Sequence, residues 1–460
     1  TGPYQIDNSC KFEEDNSEFL WKTFSGEGTG TGKTFTVSAW VKRTELGGID
    51  IVMGVGRAIG SDANDGAIRF NSDQFQFVNF ASNAYNVRTN AVFRDTSAWY
   101  HIMAAVDTTQ GTDSNRVKLY VNGEQQTSLT GTAYPTQNYQ FKWGRAEEHM
   151  VGARPDSDAT AGEPQASQFW SGYMADVYFV DGQQLAPTDF GEYDDDSGIW
   201  KPINASPTFG NNGFYLDFAD ASDLGDDESG NGNDFAEVNL AAADQATDTP
   251  TNNFATLNPL IYDINSGDDE SYICFNGATS IAASKSAYAQ NYATIGLNIA
   301  SGGKWYFEWT ATSTANGSSS EGLCGLGFDT QWDAGLNSTG VYNADFAFYA
   351  AGFGHGEGYG ANVVNGFLID LDNNKVKWYR NGTLHVTMPD DGGGSAMQTS
   401  GYAFPYIAPY GSGYTINVNL GGFTAQAISS ANTDPNGYGS FEYPTQGGYA
   451  ICTKNLAEYG

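Results

Sequence analysis

The chain has 460 residues, 57 of them glycine, 14% aromatics, and a formal net charge of −33 from 54 acidic and 21 basic side chains. That balance excludes a nucleic-acid partner, because phosphate binding needs clustered Lys and Arg, and it disfavours anionic lipid surfaces. No apolar run reaches about 18 residues, so membrane insertion is not expected, and the length suits two cores better than one.

From the N-terminus, Thr1-Gly-Pro-Tyr-Gln has no basic or apolar leader, so any targeting signal is absent or already removed. Strands are expected at Thr34–Lys42, Gly66–Phe70, Trp99–Val106, Arg116–Val121 and Phe169–Phe179, where apolar and polar residues alternate or β-branched and aromatic residues concentrate. A short helical turn fits Ala186–Phe190, with Pro187 early in it. The run Arg116-Val-Lys-Leu-Tyr-Val-Asn-Gly123 returns later as Lys375-Val-Lys-Trp-Tyr-Arg-Asn-Gly382. Both end in the dipeptide that best specifies a two-residue hairpin, since both of its residues must take φ > 0. The second half adds strands at Gly303–Trp309, Gly322–Phe328, Asn365–Leu371, Lys375–Arg380 and Tyr414–Leu420. With almost no helical period, the reading is all-β: two jelly-roll sandwiches in series at 1–240 and 272–424. A linker is expected at 241–271, with Pro250 and Pro259 in it, and an extended tail at 425–460.

Cys10, Cys274, Cys324 and Cys452 are too scattered for a zinc site. The last three read as buried free thiols, as in a protein that folds in a reducing cytoplasm and works outside the cell. Gly26-Glu-Gly-Thr-Gly-Thr-Gly-Lys-Thr34 resembles a phosphate loop only superficially, because Lys33-Thr34 opens a strand and not a helix. No Glu-x-Asp-x-Glu strand, Gly-x-Ser-x-Gly elbow or His-x-x-x-His pair occurs, and His101, His149, His355 and His385 are dispersed. Asp370 and Asp372 share a strand face but read as turn residues. No catalytic residue is assigned.

The acidic turn Asp226–Asp234 carries the oxygen inventory of a Ca²⁺ site in Asp226, Asp227, Asn231, Asn233 and Asp234. A tight turn satisfied by its own backbone accounts for the same residues. The acidic residues Glu192 and Asp194–Asp196, and those at Asp268–Glu270, are weaker candidates. Sugar binding would draw on aromatic faces beside polar groups, here Tyr342, Asn343, Asp345, His355, Glu357 and Tyr359. The alternative is that these residues fill a sandwich rim.

At Tyr4–Phe12, Phe35–Arg43, Trp99–Gln110, Phe169–Val177 and Asp227–Asp234 the first half resembles the laminin-G-like, concanavalin-A-like jelly rolls of bacteriophage virion proteins. The second half is similar to SPRY domains at Gly303–Trp309, Gly325–Phe328, Ile369–Asp372, Trp378–Gly382 and Phe404–Tyr406. The joining Thr249-Pro-Thr-Asn-Asn253 and the tail Gly448–Leu456 also look like proteins of that type. The resemblance implies a non-enzymatic virion structural protein: a fibre, an adhesin, or a capsid or tail decoration protein. It would be made in the host cytoplasm and displayed on the virion surface. Its implied partners are other virion proteins and host surface polysaccharide, and its implied assembly is a homo-oligomer, a trimer by analogy with fibres. The rival reading is a secreted glycan-active enzyme or a bacterial surface adhesin of concanavalin-A-like fold.

Overall fold

The computed structural model describes residues 3–56, 66–80, 84–156, 160–260, 274–288, 291–312, 322–328, 346–349, 363–388, 390 and 400–460. The chain forms two compact units, Thr1–Thr251 and Asn252–Gly460. Both are built of strands, and the one α-helix among the described residues is Thr453–Tyr459. No helix among them is long and apolar enough to cross a membrane.

In the first unit, one sheet runs in spatial order Glu124–Gln125, Val117–Val121, Tyr100–Asp107, Thr34–Arg43, Gly172–Asp181, Ser9–Phe12 and Gln245–Ala246, with Phe214–Leu216 also paired to Gly172–Asp181. The second runs Leu129–Ala133, Asn86–Val92, Gln74–Asn79, Gly66–Asn71, Ile49–Gly56, Glu148–Val151, Phe19–Thr23 and Ala236–Val238. Alternation supplies the core. Phe35, Val37, Ala39 and Val41 from the first sheet share one buried cluster with Ile68, Phe70, Phe75 and Phe77 from the second. Trp143 stacks on Phe35 there at 5.7 Å between ring centroids. The Ala186–Phe190 turn is a single 3₁₀ turn at Pro187–Asp189, capped by the Asp189 carboxylate, which accepts from the Ala186 N–H.

The second unit centres on the long strand Tyr402–Asn419. It pairs with Ser280–Tyr288 and Lys304–Ala311, and also with Gly322–Phe328. Outward from Lys304–Ala311 lie Asn365–Asp370, Lys375–Arg380 and Thr383–Met388. Trp305, Phe307, Trp309, Phe367, Ile369 and Trp378 fill its core.

Both Asn-Gly turns take the expected conformation, with φ of 48° and 81° at Asn122 and Gly123, and 45° and 75° at Asn381 and Gly382. The likeness extends to the preceding strand. Asn122 Oδ1 accepts from the His101 N–H, as Asn381 Oδ1 accepts from the Val364 N–H. In each case the Asn backbone N–H donates back to the same residue's carbonyl.

Two boundaries differ from the sequence reading. The described part of the supposed linker, 241–260, is packed structure, and 261–271 lies outside the described residues. Gln245–Ala246 pairs with Ser9–Cys10, and Asp248 is 1% exposed and bound to Lys42 Nζ at 2.7 Å. Phe254, Ala255 and Leu257 are core residues of the second unit. The supposed tail is also packed: Trp305 bridges Tyr449, Phe254 bridges Cys452, and Phe441 is fully buried. Limited proteolysis is therefore expected to leave 241–257 intact, and a dominant cut there, identified by fragment mass, would contradict this packing. Cys10, Cys274 and Cys452 are buried free thiols, whereas the side chain of Cys324 lies outside the described residues.

Candidate functional site

The Asp226–Asp234 turn brings its five candidate ligands together, but Asp227 looks inward. It is 7% exposed. Its Oδ1 accepts from the N–H groups of Tyr215 and Ser229, both at 2.9 Å, and its Oδ2 accepts from Ser229 Oγ and the Asn233 N–H, both at 2.8 Å. Asn231 and Asn233 direct their amide nitrogens to backbone carbonyls, sharing that of Gly213, and Asp234 Oδ1 accepts from the Asp227 N–H. No group of three or more His, Cys, Asp or Glu among the described residues could hold a metal ion. The geometry favours the self-satisfied turn over the calcium site. Asp227→Ala is expected to lower stability by about 1–3 kcal/mol, since it leaves several part-buried donors without their acceptor. Calcium followed by chelator is expected to leave the wild-type melting temperature unchanged. A calcium-dependent rise abolished in an Asp227→Asn/Asp234→Asn variant would restore the ion site.

The Gly-rich loop at 26–34 does bind an anion with its backbone, but the anion is the protein's own. Asp181 accepts from the N–H groups of Thr29 at 2.6 Å, Gly30 at 2.8 Å and Asn212 at 3.1 Å. Asp370 and Asp372 hold turn positions, accepting from the N–H groups of Asn373 and Gly303 respectively. Asp194 likewise closes its own turn through Ser197. Tyr342, Asn343, Asp345, His355, Glu357 and Tyr359 lie outside the described residues, as does Asp268–Glu270.

His101 is buried beside Ser38, a pairing that suggests a nucleophile, yet the proton runs the wrong way. Trp200 Nε1 donates to His101 Nδ1 at 3.1 Å, so Nε2 carries the hydrogen and donates to Ser38 Oγ at 2.8 Å. His101 cannot act as base toward that hydroxyl. His149 is neutral by the same logic, since its Nε2 accepts from the Gly144 N–H at 2.9 Å. Burial pulls His101 down to about 3 and His149 to about 4. Unfolded, both take protons near 6.5. The stability they confer is whole above that value and is lost as pH falls toward the folded values. Imidazole NMR is expected to show neither ring titrating between neutral pH and about pH 5; a midpoint near the free value would contradict the burial.

A polar strip that the sequence reading passed over lies on the second sheet of the first unit. Ile68, Phe70, Phe75, Phe77 and Val87 point into the core. Alternation turns Arg69, Gln76 and Arg88 to the opposite face, where Arg69 pairs with Gln76 and Gln76 with Arg88. Arg69 Nε donates to Gln76 Oε1 at 2.8 Å, and Gln76 Nε2 donates to Asn86 Oδ1 at 2.7 Å. Arg88 Nη2 donates to the Asn71 carbonyl at 3.0 Å. The hairpin formed by Ala153–Pro155 and Pro164–Phe169 borders this strip. It passes so close to Gly54 that a Cβ there would run into Arg154. Arg154 donates to Gln168 Oε1 at 2.7 Å and to Gln165 Oε1 at 3.0 Å. The ring of Phe80 receives the guanidinium groups of Arg69 and Arg154 at 5.2 and 4.0 Å from its centroid. The signal was present in Arg69-x-Asn71, Gln74-x-Gln76 and Asn86-x-Arg88-x-Asn90, polar at every second position.

Residues 21–185 match the family model described as "Concanavalin A-like lectin/glucanases superfamily", of laminin-G type. With the two facing sheets above, this makes the first unit a laminin-G-like, concanavalin-A-like jelly roll. No curated protein matches the chain. Among solved structures it is similar to a heptameric SAP-like pentraxin from Limulus polyphemus, with 14% identity and TM-score 0.29, covering 40% of this chain and 80% of that one. It is also similar to the leech intramolecular trans-sialidase, with 14% identity, TM-score 0.27 and coverage of 38% here against 27% there. Domains LG4-5 of the mouse laminin alpha1 chain give 11% identity and TM-score 0.30 over 96% of each chain.

Proposed function

We propose that the protein is a non-enzymatic virion structural protein, a fibre, adhesin or decoration subunit, whose first unit binds glycan on a host surface. The observation that carries the binding reading is the match of residues 21–185 to the concanavalin A-like lectin/glucanases superfamily, with the half-buried Asn71, Asn86, Arg88 and Phe80 on the outer face of the second sheet as its candidate contacts. Amides and guanidinium groups match sugar hydroxyls, and an aromatic ring matches the C–H face of a sugar. The inward turn of Asp227 and the donor role of His101 support binding over hydrolysis. The virion setting and the SPRY-like nature of the second unit rest on the resemblance of sequence motifs and their order, and the trimer rests on analogy with phage fibres. The test is a polysaccharide-binding panel run with a reducing-end assay on the same samples. Retention on at least one host polysaccharide with no release of reducing ends is expected; release of reducing ends would favour the glycan-active enzyme. Mass spectrometry of purified particles decides the virion setting, and light scattering at micromolar concentration decides the trimer.

A further inference from the structure

The second unit holds a cleft of about 710 Å³ lined by Ser301, Lys304, Asp372, Tyr449, Glu458 and Tyr459, with glycine backbone between them. That volume falls within the range of ligand sites, about 300–1,000 Å³. Backbone contacts fix its walls. The turn Ile299–Ser301 runs into Gly302 and Gly303, at φ of 75° and 89°. Gly303 donates its N–H to Asp372 Oδ1 at 2.8 Å, and its carbonyl accepts from the Leu371 N–H at 2.9 Å. Tyr449 donates its N–H to the Lys304 carbonyl at 2.8 Å, and its own carbonyl accepts from the Tyr306 N–H at 2.9 Å. The Tyr449 ring lies nearly parallel to that of Tyr459, 4.1 Å between centroids, and both half-buried rings pack against the core of the unit. The polar groups of the cleft keep capacity for a ligand. Lys304 Nζ stands 3.9 Å from Asp370 Oδ2, with 41% of the lysine side chain exposed. Asp372 is exposed and commits Oδ1 to the Gly303 N–H. Glu458 is exposed too, and its Oε1 accepts from Tyr459 Oη at 2.8 Å.

We propose that this cleft binds a neutral saccharide, which gives the second unit a glycan site of its own. The mixture of charges selects against an ionic ligand: a cation would meet Lys304, and an anion would meet Asp372 and Glu458. A polyhydroxyl ligand uses both signs, because each hydroxyl donates to a carboxylate and accepts from an ammonium or a phenol. Hydrogen bonds to charged partners are the stronger kind, which suits a ligand that must give up water at every hydroxyl. The tyrosine pair supplies a ring surface for the C–H face of a sugar, and its stacking limits the side-chain freedom lost on binding. The proposal goes beyond the reading of the first unit and would stand if that unit bound no sugar.

The test is calorimetric titration of the full chain with soluble trisaccharides. The neutral ones are maltotriose, cellotriose, mannotriose and the trimer of N-acetylglucosamine; trigalacturonate is the anionic probe and the glucosamine trimer the cationic one. At least one neutral trisaccharide is expected to bind more tightly than either charged one. Lys304→Gln and Asp372→Asn are each expected to weaken that binding about tenfold, the effect of one lost hydrogen bond to a charged group. Both are expected to leave the melting temperature unchanged, since Lys304 is half-exposed and asparagine keeps the Oδ1 acceptor for the Gly303 N–H. Tyr459→Ala, which removes a ring, is expected to weaken binding in the same direction. Arg88→Gln, on the first unit, is the control and is expected to leave the losses in the cleft variants in place. Binding lost in Arg88→Gln and indifferent to all three cleft variants would overturn the cleft and leave glycan binding by the first unit standing. Cleft-dependent binding that favours trigalacturonate or the glucosamine trimer would overturn the neutral ligand. Binding of none of the trisaccharides would overturn the cleft, whereas the reading of the first unit falls only with failure across the host-polysaccharide panel.

Discussion

Glu308→Leu is expected to destabilise the second unit by about 3–5 kcal/mol, as befits loss of a buried carboxylate that serves several donors at once. Glu308 is fully buried on the strand Lys304–Ala311. Its oxygens accept from the N–H groups of Glu442 and Tyr443, both at 2.9 Å, and from Tyr306 Oη at 3.1 Å and Gln426 Nε2 at 3.2 Å. Asn419 Nδ2 completes the set at 3.5 Å. One side chain therefore holds the C-terminal segment against the sheet, and burial raises its carboxyl above the usual range. Leucine keeps the volume and leaves two part-buried backbone donors and the buried Tyr306 hydroxyl and Gln426 amide without their acceptor. Glu308→Gln, which keeps one acceptor oxygen, is expected to cost about half as much. Urea unfolding of the second unit measures both, and a leucine variant within about 0.5 kcal/mol of wild type would show that the segment is held by other means.

Gly123→Val and Gly382→Val are each expected to cost about 2–5 kcal/mol, the sum of strain at positive φ and overpacking. Both residues sit near φ 80°. A Cβ at Gly123 would stand 2.5 Å from the Trp200 ring, and one at Gly382 would stand 2.7 Å from the Tyr443 ring. Neither ring is the free end of a flexible chain. Trp200 is 6% exposed and bonded to His101. Thermal melting of the two variants separates the units, since each should lower the transition of its own unit alone; wild-type melting in both would refute the shared hairpin.

Much of the fold was legible because half-buried strands declare themselves by period-2 alternation. Thr34–Arg43, Gly66–Asn71 and Lys375–Arg380 were found that way, and Asn-Gly fixed both hairpins. The segment 241–260 was misread because its burial is not periodic. Asp248, Thr249 and Asn252 are buried polar residues, and in composition such residues look like a loop. The segment 425–460 misled similarly: Asp434, 4% exposed, accepts from the N–H groups of Asn436, Tyr438 and Ala450 and from Asn455 Nδ2. Side-chain acceptors of this kind organise irregular chain without leaving a repeat. The acidic turn was legible as a turn, but not the direction in which Asp227 faces. The polar strip was not legible because period-2 alternation declares the apolar face of a strand, while Arg69, Gln76 and Arg88 lie on the other.

The most direct measurement is a crystal structure of the protein with an oligosaccharide drawn from whichever host polysaccharide it retains. Density for an intact sugar is expected on the outer face of the second sheet, against Asn71, Phe80, Asn86 and Arg88. An intact sugar bound only elsewhere, an empty strip at saturating ligand, or a cleaved glycosidic bond would contradict a non-enzymatic glycan receptor on this face.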